Sequence, residues 1–345
     1  MSLTVTSRSS ITTISTILLT STAITSEPEA DGGSGRTVLA DWIVGIAMMA
    51  ASLACGIAYA VILVTIYKDK ELFHMASYRF MFFLGVFDIT QCFPHFVTGI
   101  FTIKQTVFHP WLAKAMGIMA TPCYVAYAVL TIFLSFNRLI QLSSPTLDRY
   151  FFGENRWTIW IGLAFLSCVC FMLALGSPWA TIRYIPDWYS WEYDYQLPGS
   201  YYVQKVEMII EVGGIFVSAF FYCLIVHRLL KTKKRFMVSK SYNAEIKVLI
   251  QASVITVYCT VLNVLWHNYS WMLPLNLVSY TALNFMWILN SGVYPVIYFI
   301  VNKALRDRIV VKKSRTTTGA VSVLQNKSRT ERTGTNTGAS MVAVA

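Results

Sequence analysis

A chain of 345 residues that is 55% hydrophobic and 13% charged, with a mean hydropathy of +0.53, holds more apolar side chains than soluble domains carry, whose apolar share is about 45–50%. That excludes an ordinary soluble domain. The formal charge of +11 would suit nucleic acid in a soluble protein, but here the lysines and arginines fall between apolar stretches, where a membrane protein keeps them beside anionic lipid.

In chain order, residues 1–41 open with a Ser/Thr-rich stretch and pass through "SEPEADGGSG", which predicts a disordered polar approach to the first apolar segment. Its "TISTILLTSTA" is too broken by hydroxyls for a cleaved signal, so the first span is expected to direct its own insertion. Seven apolar segments follow, at 42–67, 80–103, 115–137, 157–177, 206–227, 248–271 and 277–301. Each is long enough, at about 1.5 Å per residue, to cross about 30 Å of hydrocarbon as a helix. The third, fourth, sixth and seventh contain no Asp, Glu, Lys or Arg, and the second contains only Asp88. Pro94 is expected to kink the second, and Pro274 in "SWMLPLN" suits a tight turn between the last two.

Of the lysines and arginines, 22 lie in 68–79, 138–156, 228–247 and 302–345, and 6 in the alternate connections. Positive loops stay cytoplasmic, so the N-terminus is expected outside and the C-terminus inside. "HRLLKTKKRF" at 227–236 adds a basic inner surface. After the seventh span, Val301, Leu305 and Ile309 recur every four residues with Lys303, Arg306 and Arg308 between them, so 302–313 is expected to lie as an amphipathic helix on the inner leaflet. Residues 314–345 lack periodicity and read as a disordered cytoplasmic tail. Asn268-Tyr269-Ser270 spells a glycosylation sequon too near a helix end for easy use, and Asn326-Lys327-Ser328 would face the cytoplasm.

Polar residues inside spans carry the functional signal, because a carboxylate in hydrocarbon must face the bundle. Asp88 is therefore a candidate polar hub. Glu207 and Glu211 are one turn apart on one face, and two carboxylates that close hold a proton or a cation between them, unless Glu207 merely reaches the outer water. An activating ligand would then be cationic or a hydrogen-bond donor. With Met116, Met119, Asn263, Trp266 and Asn284 they form the outer-half group expected around a small molecule. The seven cysteines all lie in predicted spans and read as small buried hydrophobes. No nucleophile stands in register with a base and no His/Cys cluster has ligand spacing, so no enzyme, metal site or cofactor is expected.

"LTIFLSFNRLIQLSSP" ends an apolar run on Asn137 and Arg138, with Pro145 seven residues after the arginine. "NSGVYPVIY" sets Asn290, Ser291, Pro295 and Tyr298 in the seventh span, where the proline frees a carbonyl that polar neighbours must satisfy. With Asp88 in "LGVFD", these motifs resemble those of rhodopsin-like G-protein-coupled receptors, in order, on three helices. That superfamily has Asp/Glu-Arg-Tyr where this chain has Asn137, Arg138 and Leu139, and a second Asn where it has Tyr294. The resemblance implies an all-α, seven-transmembrane, rhodopsin-like bundle. It also implies that Arg138, Asn137, Pro145, Asp88, Asn290, Pro295 and Tyr298 serve activation and G-protein coupling.

Longer strings, "YRFMFFLGVFDITQCFPHFVTGIFTIKQTVF" and "FNRLIQLSSPTLDRYFFGENRWTIWIGL", are similar to nematode serpentine chemoreceptors, most of all class T (Srt), with class X the alternative. That resemblance implies sensory perception and signal transduction: a chemosensory receptor in the plasma or ciliary membrane, with a small environmental ligand and a heterotrimeric G protein as partners and no nucleic acid. A receptor for an endogenous small ligand or peptide, or a seven-span transporter, is the alternative. The transporter would be expected to show internal repeats or more intramembrane charge. A retinal-binding opsin is excluded by the absence of lysine from 277–301, and an insect-type odorant-gated channel by the expected orientation. The superfamily's disulfide to the second outer loop cannot form, since 104–117 and 178–205 contain no cysteine. The Trp- and Tyr-rich text of 178–205 must be ordered otherwise, either packing at the lipid interface or contacting ligand as a lid.

Overall fold

The computed structural model describes residues 36–236, 240–302 and 305–309, and the side chains of these apart from residues 232–253. Most of the expected N-terminal approach, the tail 314–345 with its Asn326 sequon, Lys303, residues 310–313 and the side chains of the basic stretch beyond Lys231 lie outside the described residues.

Seven long helices follow the predicted spans. They are α1 (Val38–Lys68), α3 (Ala76–Lys104), α4 (Pro110–Ser143), α6 (Trp157–Gly176), α7 (Pro198–Phe236), α8 (Lys240–Met272) and α9 (Leu277–Val301). Two short helices, α2 (Lys70–His74) and α5 (Pro145–Phe152), lie in connections at the same end of the bundle. Among the described residues, six helices are long and apolar enough to cross a membrane: α1, α3, α4, α6, α7 and α9. The remaining one, α8, has 33 residues and kinks at Asn268, whose φ −130° and ψ 17° are not helical.

Local sequence sets the boundaries. Thr37, Ser144 and Asn276 each cap a helix by accepting a backbone N–H, at 3.1, 3.5 and 2.9 Å. Arg138, which the sequence placed at the end of its span, is five residues inside α4. Nothing in Leu139–Ser143 opposes helix; the stop comes from Pro145, whose ring excludes the preceding residue from α geometry, and Ser144 is extended at φ −164°, ψ 126°. Pro94, Pro122 and Pro295 all lie inside continuous helices, and all three are buried.

The interior is filled by large side chains such as Tyr59, Phe80, Leu84, Leu130 and Tyr298. Where α1 crosses α3, a Cβ on Gly99 would lie 2.6 Å from the Gly45 carbonyl oxygen, so only glycine permits this backbone approach.

Residues 178–197, at the end of the bundle opposite α2 and α5, form a β-hairpin. Strand β1 (Ile182–Ile185) pairs antiparallel with β2 (Ser190–Tyr193), setting Ile182 opposite Tyr193 and Tyr184 opposite Trp191. Alternation along a strand puts these four on one buried face, while Arg183 points to the other. The turn closes through Tyr189 in the left-handed region at φ 51°.

Hydrogen bonds order this loop where a disulfide is absent; all seven cysteines are free thiols. Trp191 Nε1 donates to Thr98 Oγ1 at 3.2 Å, and Tyr184 shares a 2.6 Å bond with Thr102. Asn284 Nδ2 donates to the Tyr189 carbonyl at 2.9 Å. The Tyr189 hydroxyl donates to Asp41, and the Tyr193 hydroxyl to Glu207. Burial, with the Asp41 carboxylate beside it, pushes the Tyr189 phenol up from its ordinary value.

Candidate functional site

Beneath the hairpin, α4, α7, α8 and α9 meet around a narrow cavity lined by Tyr124, Glu207, Glu211, Leu262, Asn263, Trp266 and Trp287. A second cavity shares Tyr124, Glu211 and Asn263 and continues past Tyr127, Ser218 and Cys259. Helical spacing explains the lining. Glu207, Glu211, Gly214 and Ser218 fall at i, i+4, i+7 and i+11 on the inward stripe of α7, while Ile209, Phe216 and Phe220 on the other faces are exposed. On α8, Cys259, Asn263 and Trp266 repeat at four and three residues.

Both glutamates are buried, at 4% and 2% exposure. Glu207 accepts from Tyr193 of the hairpin, and Glu211 Oε2 lies 3.0 Å from His267 Nε2. Glu211 Oε1 is buried without a hydrogen-bond donor among the described residues. Tyr124 donates to Asn263 Oδ1 at 2.6 Å, and Trp287 Nε1 to Gln91 Oε1 at 3.2 Å.

Of the ligand group expected from sequence, Glu207, Glu211, Asn263 and Trp266 come together here. Met116 is buried in the core, Met119 is half-buried, and Asn284 is engaged with the hairpin backbone; none of the three lines these cavities. Sequence reasoning missed His267, Trp287 and Tyr124. The only signal for His267 was its position, four residues after Asn263 and next to Trp266.

Aromatic rings lead from this cavity toward the other end. Trp266 meets Trp287 at 5.1 Å, Trp287 meets Tyr124 at 6.3 Å, and Tyr124 stacks on Tyr127 at 5.6 Å. Tyr127 then meets Tyr294 at 5.4 Å, and Tyr294 meets Tyr298 at 5.6 Å. Edge and offset contacts of this kind are favourable for ring quadrupoles.

At that far end Asp88 is fully buried and accepts from Tyr59. Asn290 lies 3.6 Å from the Cys259 thiol through its Oδ1, and Pro295 is buried one turn before Tyr298. Asn137 accepts from Ser77 at 2.8 Å, which ties α4 to α3. Arg138 is half-buried and makes no ion pair among the described residues; its field reaches Tyr222 and Tyr298. Pro145 stands at the first position of α5.

Residues 305–309 are helical, with Leu305 fully buried and Ile309 against the core. Arg308, on the basic side of this stretch, binds Asp69 at 2.7 Å and Glu71 at 2.9 Å, in the connection between α1 and α3. The sequence pattern showed the apolar stripe but could not show that acidic partners stood beside it.

The fold, with six helices among the described residues long and apolar enough to cross a membrane, is that of a multi-pass integral membrane protein. Its structure is similar to the crystal structure of squid rhodopsin, with a TM-score of 0.66 at 17% identity over 81% of this chain and 87% of that one. Residues 34–319 match the family described as serpentine type 7TM GPCR chemoreceptor Srt, so the chain belongs to the Srt serpentine chemoreceptors. No match was found among curated proteins.

Proposed function

We propose that this receptor binds a small environmental molecule in the cavity under the hairpin and signals through a heterotrimeric G protein at the Arg138 end. The observation that carries this reading is the cavity lined by Glu207, Glu211, Asn263 and Trp266, from which a continuous run of rings reaches Tyr298. Small-molecule sites have this character: mostly apolar walls with a few convergent polar groups.

In this reading the hairpin end and the N-terminus are outside, and Arg138, α2, α5 and residues 305–309 are cytoplasmic, in keeping with the 22 to 6 distribution of basic residues. The chain is organised as a polar N-terminal approach, a seven-helix domain over 42–301, a membrane-surface helix from 302 and a cytoplasmic tail. The membrane is the plasma membrane, including that of a sensory cilium.

Activation works through differential binding. A ligand shifts the bundle only as far as it prefers one arrangement of Trp266, Trp287 and Tyr124 over another. Asn290, Pro295 and Tyr298 make α9 the element that can respond, since a proline-containing helix has one backbone carbonyl without its intrahelical donor. Rearrangement there, beside Asp88, frees Arg138 and Asn137 for the G protein, with Pro145 setting the following loop.

The test is a calcium or cyclic-nucleotide readout in cells expressing the protein, screened against volatile and water-soluble chemicals. An activating compound whose potency is lost in Trp266→Ala at normal surface expression supports the reading. An activating compound indifferent to every cavity substitution contradicts it.

A further inference from the structure

Two buried carboxylates on one face of a helix are both acceptors, and a donor placed between them would satisfy both. Glu207 and Glu211, one turn apart on the inward stripe of α7, are both buried and both line the cavity, and Glu211 Oε1 has no donor among the described residues. Neither pairs with a lysine or arginine among the described residues; the one basic neighbour is His267, its side chain 1% exposed, at 3.0 Å from Glu211. Lys205, two residues before Glu207 on the same helix, rests its ammonium over the Tyr201 ring at 5.4 Å, with its field reaching His267.

The remaining walls also favour a cation. Trp266, Trp287 and Tyr124 line the same cavity, and indole and phenol faces attract ammonium through their quadrupoles. A metal ion is a poorer fit, because no group of three or more His, Cys, Asp or Glu among the described residues is placed to hold one. Tyr193 of the hairpin donates to Glu207, so the lid itself completes the acidic site.

We infer that the cavity takes a small organic ammonium. Its N–H groups would be accepted by Glu211 and then Glu207, and its carbon skeleton would lie against Trp266, Trp287 and Tyr124. His267 is a positioning residue that holds Glu211 Oε2 and leaves Oε1 to the ligand. This inference rests on the cavity being the ligand site.

The experiment uses the full chain purified into nanodiscs and three protonated probes at neutral pH: methylammonium, butylammonium and 2-phenylethylammonium. Each is titrated against its neutral isostere, with 2-phenylethanol for the last, while tryptophan emission and the thermal unfolding midpoint are followed. At least one ammonium should raise the midpoint saturably and bind about tenfold or more tighter than its alcohol. Glu211→Gln should erase most of that preference. Glu207→Gln, which keeps a carbonyl oxygen for Tyr193, should reduce it less.

Equal binding of ammonium and alcohol, an unchanged preference in Glu211→Gln, or no stabilisation by any of the three probes would overturn the inference. The wild-type comparison of ammonium with alcohol needs no variant to fold. If alcohols bind and Trp266→Ala releases them, the ammonium assignment falls while the cavity reading stands. If an activating compound from the cell screen binds with every cavity substitution tolerated, both fall.

Discussion

Replacing Tyr189 with Phe removes one hydroxyl from the tip of the hairpin and leaves its ring in place against Met48 and Ile288. The hydroxyl donates to Asp41 in the first turn of α1, and a hydrogen bond to a charged acceptor contributes about 1.5–3 kcal/mol. Asp41 keeps Gln105 Nε2 at 3.0 Å and Arg36 Nε at 3.6 Å, so its carboxylate is not stranded and the lower end applies. A loss of about 1.4 kcal/mol corresponds to about tenfold in the hairpin's closed-to-open ratio. Hydrogen exchange in nanodiscs should therefore show amides of 182–193 exchanging about tenfold faster in Tyr189→Phe, with the long helices unchanged. Asp41→Asn should behave similarly, and the double variant should be little worse than either alone.

The pH dependence has a definite sign. Burial beside Asp41 raises the Tyr189 phenol, so the folded hairpin favours the protonated form. Its contribution is complete below the unfolded value, about 10, and is lost as pH rises through the higher folded value. Hairpin protection in the wild type should thus fall more steeply above about pH 10 than in Tyr189→Phe. Equal slopes, or unchanged exchange at neutral pH, would refute the view that this hydroxyl latches the loop.

Arg138→Ala should abolish signalling while leaving surface expression intact, because the residue makes no ion pair among the described residues and its removal strands no partner; full signalling at equal expression would remove it from the coupling surface. An N-terminal tag should stain intact cells and a C-terminal tag only permeabilised ones, and the reverse would overturn the proposed orientation. Trp287→Ala should cost about 3–5 kcal/mol of packing and leave Gln91 Oε1 without its indole donor, lowering the thermal midpoint, whereas Trp287→Phe should recover most of the packing but not the hydrogen bond. A midpoint unchanged by the alanine would contradict the position of Trp287 as the hub between His95, Trp266 and Tyr124.

The seven helices were legible because hydrocarbon imposes a length and tolerates few charges, so spans such as 115–137 and 277–301 stand out without any knowledge of contacts. Their ends were less legible, since a helix such as α4 continues into the polar zone until Pro145 stops it. The hairpin was hidden for a different reason. Its aromatic residues suit a lipid interface as well as a lid, and only pairing of Tyr184 with Trp191 shows which face is buried. Glu207 and Glu211 announced themselves by charge and spacing, but His267 sits in an apolar run where one imidazole is unremarkable. Asn284 stood out because it is polar and intramembrane, but the hydrogen bond from its amide to the Tyr189 carbonyl depends on the hairpin's fold and was not legible. Trp287 and Tyr124 carried no signal at all, since aromatic residues are common in any span.

The central claim, that occupation of the cavity is transmitted to a G protein, is tested most directly with purified receptor reconstituted in vesicles together with a heterotrimeric G protein. With an activating compound from the cell screen, nucleotide exchange on the G protein should rise in the wild type and stay at its basal rate in both Trp266→Ala and Arg138→Ala. Accumulation of the compound inside the vesicles with no change in nucleotide exchange would contradict the account and make the protein a transporter.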